Sequence, residues 1–219
     1  YSLEPASIPN LFQVGRVADN MTSIIGDISN YHDLATALSD VKPEIVFHMA
    51  AQPLVRYSYD NPIETFMTNV IGTVHILEAV RKCSTVKALV NVTTDKCYEN
   101  KEWIWSYREN ESMGGHDPYS CSKGCAELVT SSFRESFFSR ETYEQHGLAL
   151  ASVRAGNVVG GGDWSEDRLV PDIFRAINSN KSVSVRNPDS TRPWQHVLEP
   201  ISGYLILSQN LFTHGTQYA

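Results

Sequence analysis

The chain lacks most features that would tie it to a membrane, a nucleic acid or a disulfide framework. No apolar run approaches the roughly 20 residues that a bilayer crossing needs. The opening Tyr1-Ser2-Leu3-Glu4-Pro5 has neither the basic start nor the apolar stretch of a signal peptide. Positive charge is scarce: 18 Lys and Arg stand against 25 Asp and Glu, a formal net charge of −7. That balance argues against a binder that tracks nucleic-acid phosphates. It leaves room for a small anionic substrate, which a few local arginines suffice to hold. There are only four cysteines, Cys83, Cys97, Cys121 and Cys125, and none forms a CxxC pair. Reduced thiols in a cytoplasmic protein are therefore expected, with no metal centre. A site built from Cys121, Cys125 and His116 is the alternative.

What is present is ordinary for a globular domain. Hydrophobic residues make up 42% of the 219 and charged residues 20%. A chain of this size can bury about 70% of its unfolded surface. Apolar runs alternate with helical stripes, the mark of βαβ units and a parallel sheet. Ser23-Ile24-Ile25, Glu44 to Ala50, Val86 to Thr93 and Leu148 to Arg154 read as strands. The continuous apolar character of the longer ones fits strands buried on both faces. Tyr31 to Leu38 and Tyr119 to about Phe138 read as helices. Phe66, Val70, Val74 and Leu77, spaced four, four and three apart, place another near Glu64 to Cys83. After Gly160-Gly161-Gly162 the pattern changes to a helix over 171–177, a short strand over 182–185 and a helix over 201–211. Residues 1–160 are expected to form a dinucleotide-binding domain with the reactive residues, and 161–219 part of a smaller substrate-binding region. Such a sheet normally opens with a strand, a glycine-rich turn and a helix. No GxGxxG or GxxGxxG precedes Gly26, and no Met stands first. A piece of a longer protein, cut at both ends, is expected.

Tyr119-Ser120-Cys121-Ser122-Lys123 carries the strongest chemical signal. Tyr and Lys four apart on a helix share one face. An ammonium group close to a phenol favours the phenolate, making tyrosine usable as a base near neutral pH. Thr93-Thr94-Asp95-Lys96 follows directly on an apolar strand, where open α/β sheets place functional groups. His48 reads as a core histidine, Gly160-Gly161-Gly162 as a plain turn, and Trp103, Trp105 and Tyr107 as packing or interface residues. Arg154, Arg168 and Arg192 are either surface ion-pair partners or the desolvated forks that a diphosphate requires.

A strand-end hydroxyl at Thr94 with Tyr119 and Lys123 on the following helix resembles the Ser/Thr–Tyr–Lys arrangement of short-chain dehydrogenases. The resemblance to the extended branch of that family covers nearly the whole chain. Gly26-Asp27-Ile28 is similar to its adenine-contacting turn, and Phe47-His48-Met49-Ala50-Ala51-Gln52 to the loop beside the cofactor. Thr68-Asn69-Val70-Ile71-Gly72-Thr73 is similar to the helix that follows. Arg154-Ala155-Gly156-Asn157-Val158-Val159-Gly160 and Arg192-Pro193-Trp194-Gln195-His196-Val197 resemble its later motifs. The resemblance implies a Rossmann-like, doubly wound parallel sheet lacking its first strand-turn-helix. It also implies NAD as cofactor, although Ser2 stands where an Asp usually selects NAD over NADP. Cofactor contacts are expected from Asp27, Ile28, Met49, Ala50, Ala51, Gln52, Thr68, Tyr119, Lys123 and Val158. Substrate contacts are expected from Thr94, Asn157, Arg168, Leu169 and Arg192.

Within the family, the residues after the strand-end hydroxyl sort the chemistry. Sugar-nucleotide 4,6-dehydratases carry Thr-Asp-Glu, whereas epimerases carry small or uncharged residues. Thr94-Asp95-Lys96 departs at Lys96, and the stretch 95–103 resembles a dehydratase branch that has Lys there. The resemblance implies Asp95 as the acid that protonates a departing C6 hydroxyl. Lys96 is either the base for the C5 proton or an electrostatic stabiliser of an enolate. The expected substrate is a nucleotide-diphosphate hexose and the expected assembly a homodimer or larger homo-oligomer. No nucleic-acid or membrane partner is expected, and a role in cell-surface polysaccharide follows from the resemblance. A nucleotide-sugar 4-epimerase, or a catalytically inactive piece, are the alternatives. The activity is expected of the parent protein.

Overall fold

A computed structural model describes residues 1–219. Its helices are α1 (Leu11–Val14), α2 (Tyr31–Val41), α3 (Val55–Asp60), α4 (Pro62–Phe66), α5 (Gly72–Arg81), α6 (Pro118–Phe137), α7 (Tyr143–His146), α8 (Leu169–Asn178) and α9 (Leu198–His214). The strands are β1 (Ile45–His48), β2 (Ala88–Val92), β3 (Ala149–Val153), β4 (Asn157–Val159) and β5 (Trp194–His196). β1, β2 and β3 form one parallel sheet in that order, with Ile45 opposite Ala88 and Ala88 opposite Ala149. β4 and β5 make a second, parallel pair. No helix is long and apolar enough to cross a membrane.

Side chains alternate across a strand, so each strand feeds two layers. Leu89 and Leu150 point to one face, against Leu34 and Leu38 of α2 and Ile76, Leu77 and Val80 of α5. Ala88, Val90, Ala149 and Ala151 point to the other, where Leu211 of α9 packs against them. The small alanines there let α9 come close. Helices on both faces of a parallel sheet define a doubly wound α/β fold.

Local signals set the helix ends. Asp117 caps α6 by accepting from Ser120 N at 2.9 Å, and Pro118 fills the first turn, where no backbone donor is needed. The helix expected over 64–83 runs from α4 through α5 but contains a π-helical turn at Met67–Ile71. Asn69 lies in that turn and is buried.

Two expectations need correction, and one pair of strands was missed. Ser23-Ile24-Ile25 is no strand: Ile25 makes a single parallel bridge to Ser2, and no ladder continues from it. Ser182 to Val185 is also irregular, because it lies exposed with no strand beside it. β4 and β5 went unread, since residues far apart in sequence form them and each is only three residues long.

Candidate active site at the strand ends

The three parallel strands end on the same side of the sheet. The segments following β1, β2 and β3, together with the β4–β5 pair and α8, enclose a cleft of about 1260 Å³. Open α/β sheets bind their ligands in this position. The cleft brings together Met49, Thr94, Asp95, Lys96, Tyr119, Asn157, Val158, Arg168, Leu169 and Arg192 from the expected site. It does not include Asp27, Ile28, Ala50, Ala51, Gln52, Thr68 or Lys123.

Thr94 ends the strand segment and caps the short 3-10 turn Asp95–Cys97, its Oγ1 accepting from Lys96 N at 3.4 Å. The Thr94 hydroxyl donates to Asp95 Oδ1 at 3.1 Å. Asp95 N donates to Ala155 O at 3.0 Å, tying the turn to the segment after β3. Tyr119 sits in the first turn of α6, nearly buried, and its backbone N donates to the Ser58 hydroxyl at 3.2 Å. Lys123 is buried one turn on and donates from Nζ to Val92 O at 3.3 Å.

Burial raises the Tyr119 pKa above its ordinary value, and the Thr94 hydroxyl and then the Arg168 charge oppose that rise. The Lys123 ammonium turns inward to the Val92 carbonyl. Burial lowers the Lys123 pKa to about 8, against an opposing pull from Glu127. His48 is a core histidine, as expected. Burial, and then the Lys123 charge, hold its pKa at about 3. The Thr73 hydroxyl donates to Asn69 O at 2.7 Å, so His48 Nε2 donates to Thr73 Oγ1 at 3.1 Å.

Gln52 belongs to the frame. Its side chain donates to Thr65 Oγ1 at 2.8 Å and accepts from Leu54 N at 2.6 Å. Asn69, which sequence reasoning passed over in favour of Thr68, is the hub of this frame. It accepts from Gln52 N at 2.8 Å and donates to Gln52 O at 3.1 Å and Ser122 Oγ at 2.9 Å. The loop after β1 is thereby locked to the helix that carries Tyr119. Ile28 packs under α5, where a Cβ on Gly72 would meet its Cδ1 at 2.5 Å and force that side chain to move.

Four arginines line the cleft: Arg56, Arg168, Arg186 and Arg192. Arg192 is exposed, with Nη1 on Thr191 O at 2.6 Å. Arg56 and Arg186 were not anticipated. Both donate to Asp167 Oδ1, at 2.9 and 2.8 Å, joining α3 to the segment before α8. No spacing rule links residues 111 positions apart. Arg154, left open between surface and fork, lies inside and pairs with Glu127 at 2.9 Å. Tyr107 and Trp103 pack on one another, as expected of packing residues.

A parallel sheet with Thr94, Tyr119 and Lys123 at its carboxyl edge is the frame of an extended short-chain dehydrogenase. The family model described as GDP-mannose 4,6 dehydratase matches residues 2–216, and the chain belongs to that family. It is 60% identical over 219 residues to CDP-glucose 4,6-dehydratase of Salmonella typhimurium, covering 100% of this chain and 61% of the relative. It is 32% identical over 213 residues to CDP-paratose 2-epimerase of Salmonella typhi, covering 88% of the chain and 61% of that protein. The chain thus spans about 61% of the length of these curated relatives. A dTDP-glucose 4,6-dehydratase from Streptomyces venezuelae, solved with NAD bound, superposes with a TM-score of 0.77. That match covers 89% of this chain and 56% of the other at 22% identity, which establishes the fold.

Proposed function

We propose that the protein carrying this chain is an NAD-dependent dehydratase that converts CDP-glucose to CDP-4-keto-6-deoxyglucose. One observation carries the reading: Asp95 and Lys96 line the same cleft as Thr94 and Tyr119. A simple epimerase needs only the last two. The 60% identity to a CDP-glucose 4,6-dehydratase supports the choice of nucleotide.

Tyr119 takes the C4 hydroxyl proton, and the Thr94 hydroxyl, turning its one proton from Asp95 to the phenolate, stabilises the anion. The resulting ketone acidifies the C5 proton, which Lys96 removes or whose enolate it stabilises. Asp95 protonates the departing C6 hydroxyl. Arg168, Leu169, Asn157 and Arg192 hold the nucleotide-diphosphate end. Bound NAD supplies the hydride acceptor at C4 and the donor at C6. The residues present fit its nicotinamide half. Met49, Ala50 and Ala51 follow β1, Val158 lines the cleft and Tyr119 and Lys123 lie on α6, while Asp27 and Ile28, the latter set against Gly72 of α5, together with Thr68 would take the adenine end. The residues that hold its pyrophosphate are not recognisable among these 219.

Residues 1–160 are proposed to carry the cofactor and the chemistry and 161–219 most of the substrate contacts, while α9 of the second stretch packs on the parallel sheet. Four free thiols support a cytoplasmic location. Ile63, 80% exposed, Met67 and Ile71 on one helical run, with Leu128, 61% exposed, on the adjoining α6, support a homo-oligomer. The deciding experiment incubates the protein with CDP-glucose and NAD and follows the nucleotide sugar by mass spectrometry. Loss of one water is expected. An isomer of unchanged mass would establish the epimerase instead.

A further inference from the structure

We propose that Glu127 and Arg154 are positioning residues which fix the Asp95–Lys96 turn against the helix carrying Tyr119 and Lys123. The proposal rests on the dehydratase reading for its kinetic consequences, and on geometry alone for the anchoring.

Both ends of the turn converge on this one ion pair. On the entry side, the Thr93 hydroxyl donates to Glu127 Oε1. On the exit side, Arg154 Nη1 donates to Tyr98 OH at 2.9 Å, and its guanidinium lies 4.9 Å above the Tyr98 ring. The pair itself is a two-pronged fork: Arg154 Nε to Glu127 Oε1 at 2.9 Å and Nη2 to Oε2 at 3.0 Å. Ser152 Oγ adds a fourth donor to the carboxylate at 2.8 Å. The Glu127 side chain is 4% exposed. Asp95 N is bonded to Ala155 O, one residue beyond Arg154. Glu127 also stands one helical turn beyond Lys123, so a single carboxylate sets the register of both halves of the site.

The support extends outward. Tyr98 stacks on Tyr107 at 5.2 Å, Tyr107 meets Trp103 at 5.5 Å, and Lys101 Nζ lies 5.0 Å from the Trp103 ring centre. Arg154 also reaches Glu109 O at 2.9 Å. The segment between the turn and α6 is folded back as a column standing on the guanidinium. A buried ion pair is by itself weak evidence for stability, since its desolvation cost rivals its attraction. Its place under a reactive turn points to geometry.

Lys123 supplies a readout that a purely structural pair would leave unmoved. The groups facing it are Tyr119 and Glu127 on its own helix, His48 at the end of β1, and Cys97 in the turn; Arg154 lies behind Glu127. Burial lowers the lysine pKa to about 8, while Glu127 opposes that shift. His48 and Cys97, with pKa values of about 3 and about 12, are neutral where the lysine titrates. Removing the Glu127 charge lowers the lysine pKa further. The alkaline limb of the rate profile then moves to lower pH.

The experiment compares wild type with Glu127→Gln, Glu127→Asp and Tyr98→Phe. It measures kcat and KM for CDP-glucose across pH, and alkylation of Cys97, which lies fully buried in the turn, by peptide mapping. Misplacement of about 1 Å can cost about 10²-fold in rate, so Glu127→Gln is expected to lose about that in kcat with KM little changed. Its alkaline limb moves acidwards and Cys97 becomes reactive, while Glu127→Asp restores the limb. Glu127→Gln with an unmoved limb and a protected Cys97 overturns the proposal. Should that variant fail to fold, Tyr98→Phe decides, because it keeps the ring and removes one acceptor. Faster Cys97 labelling and a severalfold lower kcat support the anchor; no change in either refutes it. Cys97 labelling reads the anchor even where wild type does not dehydrate CDP-glucose, so the two readings fail separately.

Discussion

Tyr119 is harder to ionise in this fold than a free tyrosine, because burial raises its pKa. The proposed reaction must therefore use the phenol where the substrate hydroxyl and Thr94 share its proton. Replacing Tyr119 with Phe keeps the ring packing and removes the base. Turnover is expected to fall by at least the 10²- to 10⁴-fold typical of a lost general base, with the thermal midpoint nearly unchanged. Turnover within a few-fold of wild type would remove Tyr119 from the chemistry. Asp95 has a narrower task. Asp95→Asn keeps the shape and deletes the acid, so oxidation at C4 should proceed while elimination stops. In heavy water the recovered nucleotide sugar should carry deuterium at C5 without loss of water. Product formation at the wild-type rate would exclude Asp95 as the acid.

At the scale of elements, the join between β1, α5 and α6 is polar and fully satisfied, which makes it sensitive to proton uptake. His48 has a native pKa of about 3 against an ordinary 6.5. Between these values the unfolded chain binds a proton that the native state refuses, so stability falls as pH drops below 6.5. The slope approaches 1.4 kcal/mol per pH unit from this one group, as an order of magnitude. Chemical denaturation from pH 7 to pH 5 should show the loss, and His48→Gln should flatten it. The π-helical turn is equally exacting. Asn69→Ala takes the partner from the Gln52 backbone N–H and C=O, while Ser122 keeps its bond to Tyr119 O, and each unsatisfied buried group costs about 1–3 kcal/mol. A fall in the denaturation midpoint is expected, with the same change in m-value as wild type within error. These elements also show what was legible beforehand. Apolar runs revealed β1 to β3, and the four-residue Tyr119–Lys123 spacing revealed the reactive helix, because both are local signals. The joint of Arg56, Asp167 and Arg186, the short β4–β5 pair and the anchor of Glu127 and Arg154 depend on residues brought together only by folding. Glu127 left one local trace, its place four residues after Lys123. The inward turn of Lys123 left none.

For the molecule as a whole, cofactor affinity is the clearest expectation. Amides at a helix N-terminus behind a glycine turn normally hold a pyrophosphate. This sequence contains no such turn before Gly26. The 219-residue chain alone is expected to bind NAD weakly, and calorimetry finding micromolar affinity would contradict that. The parallel β4–β5 pair has a different consequence. Val159 sits opposite His196 and Asn157 opposite Trp194, so residues 160–193 leave at one end of this three-residue ladder and rejoin at the other. That excursion carries Arg168, Leu169, Arg186 and Arg192, while every residue assigned to proton transfer lies outside it. Most of the proposed recognition set therefore lies in one contiguous stretch of the gene, with Asn157 at its border, apart from the residues proposed to move protons.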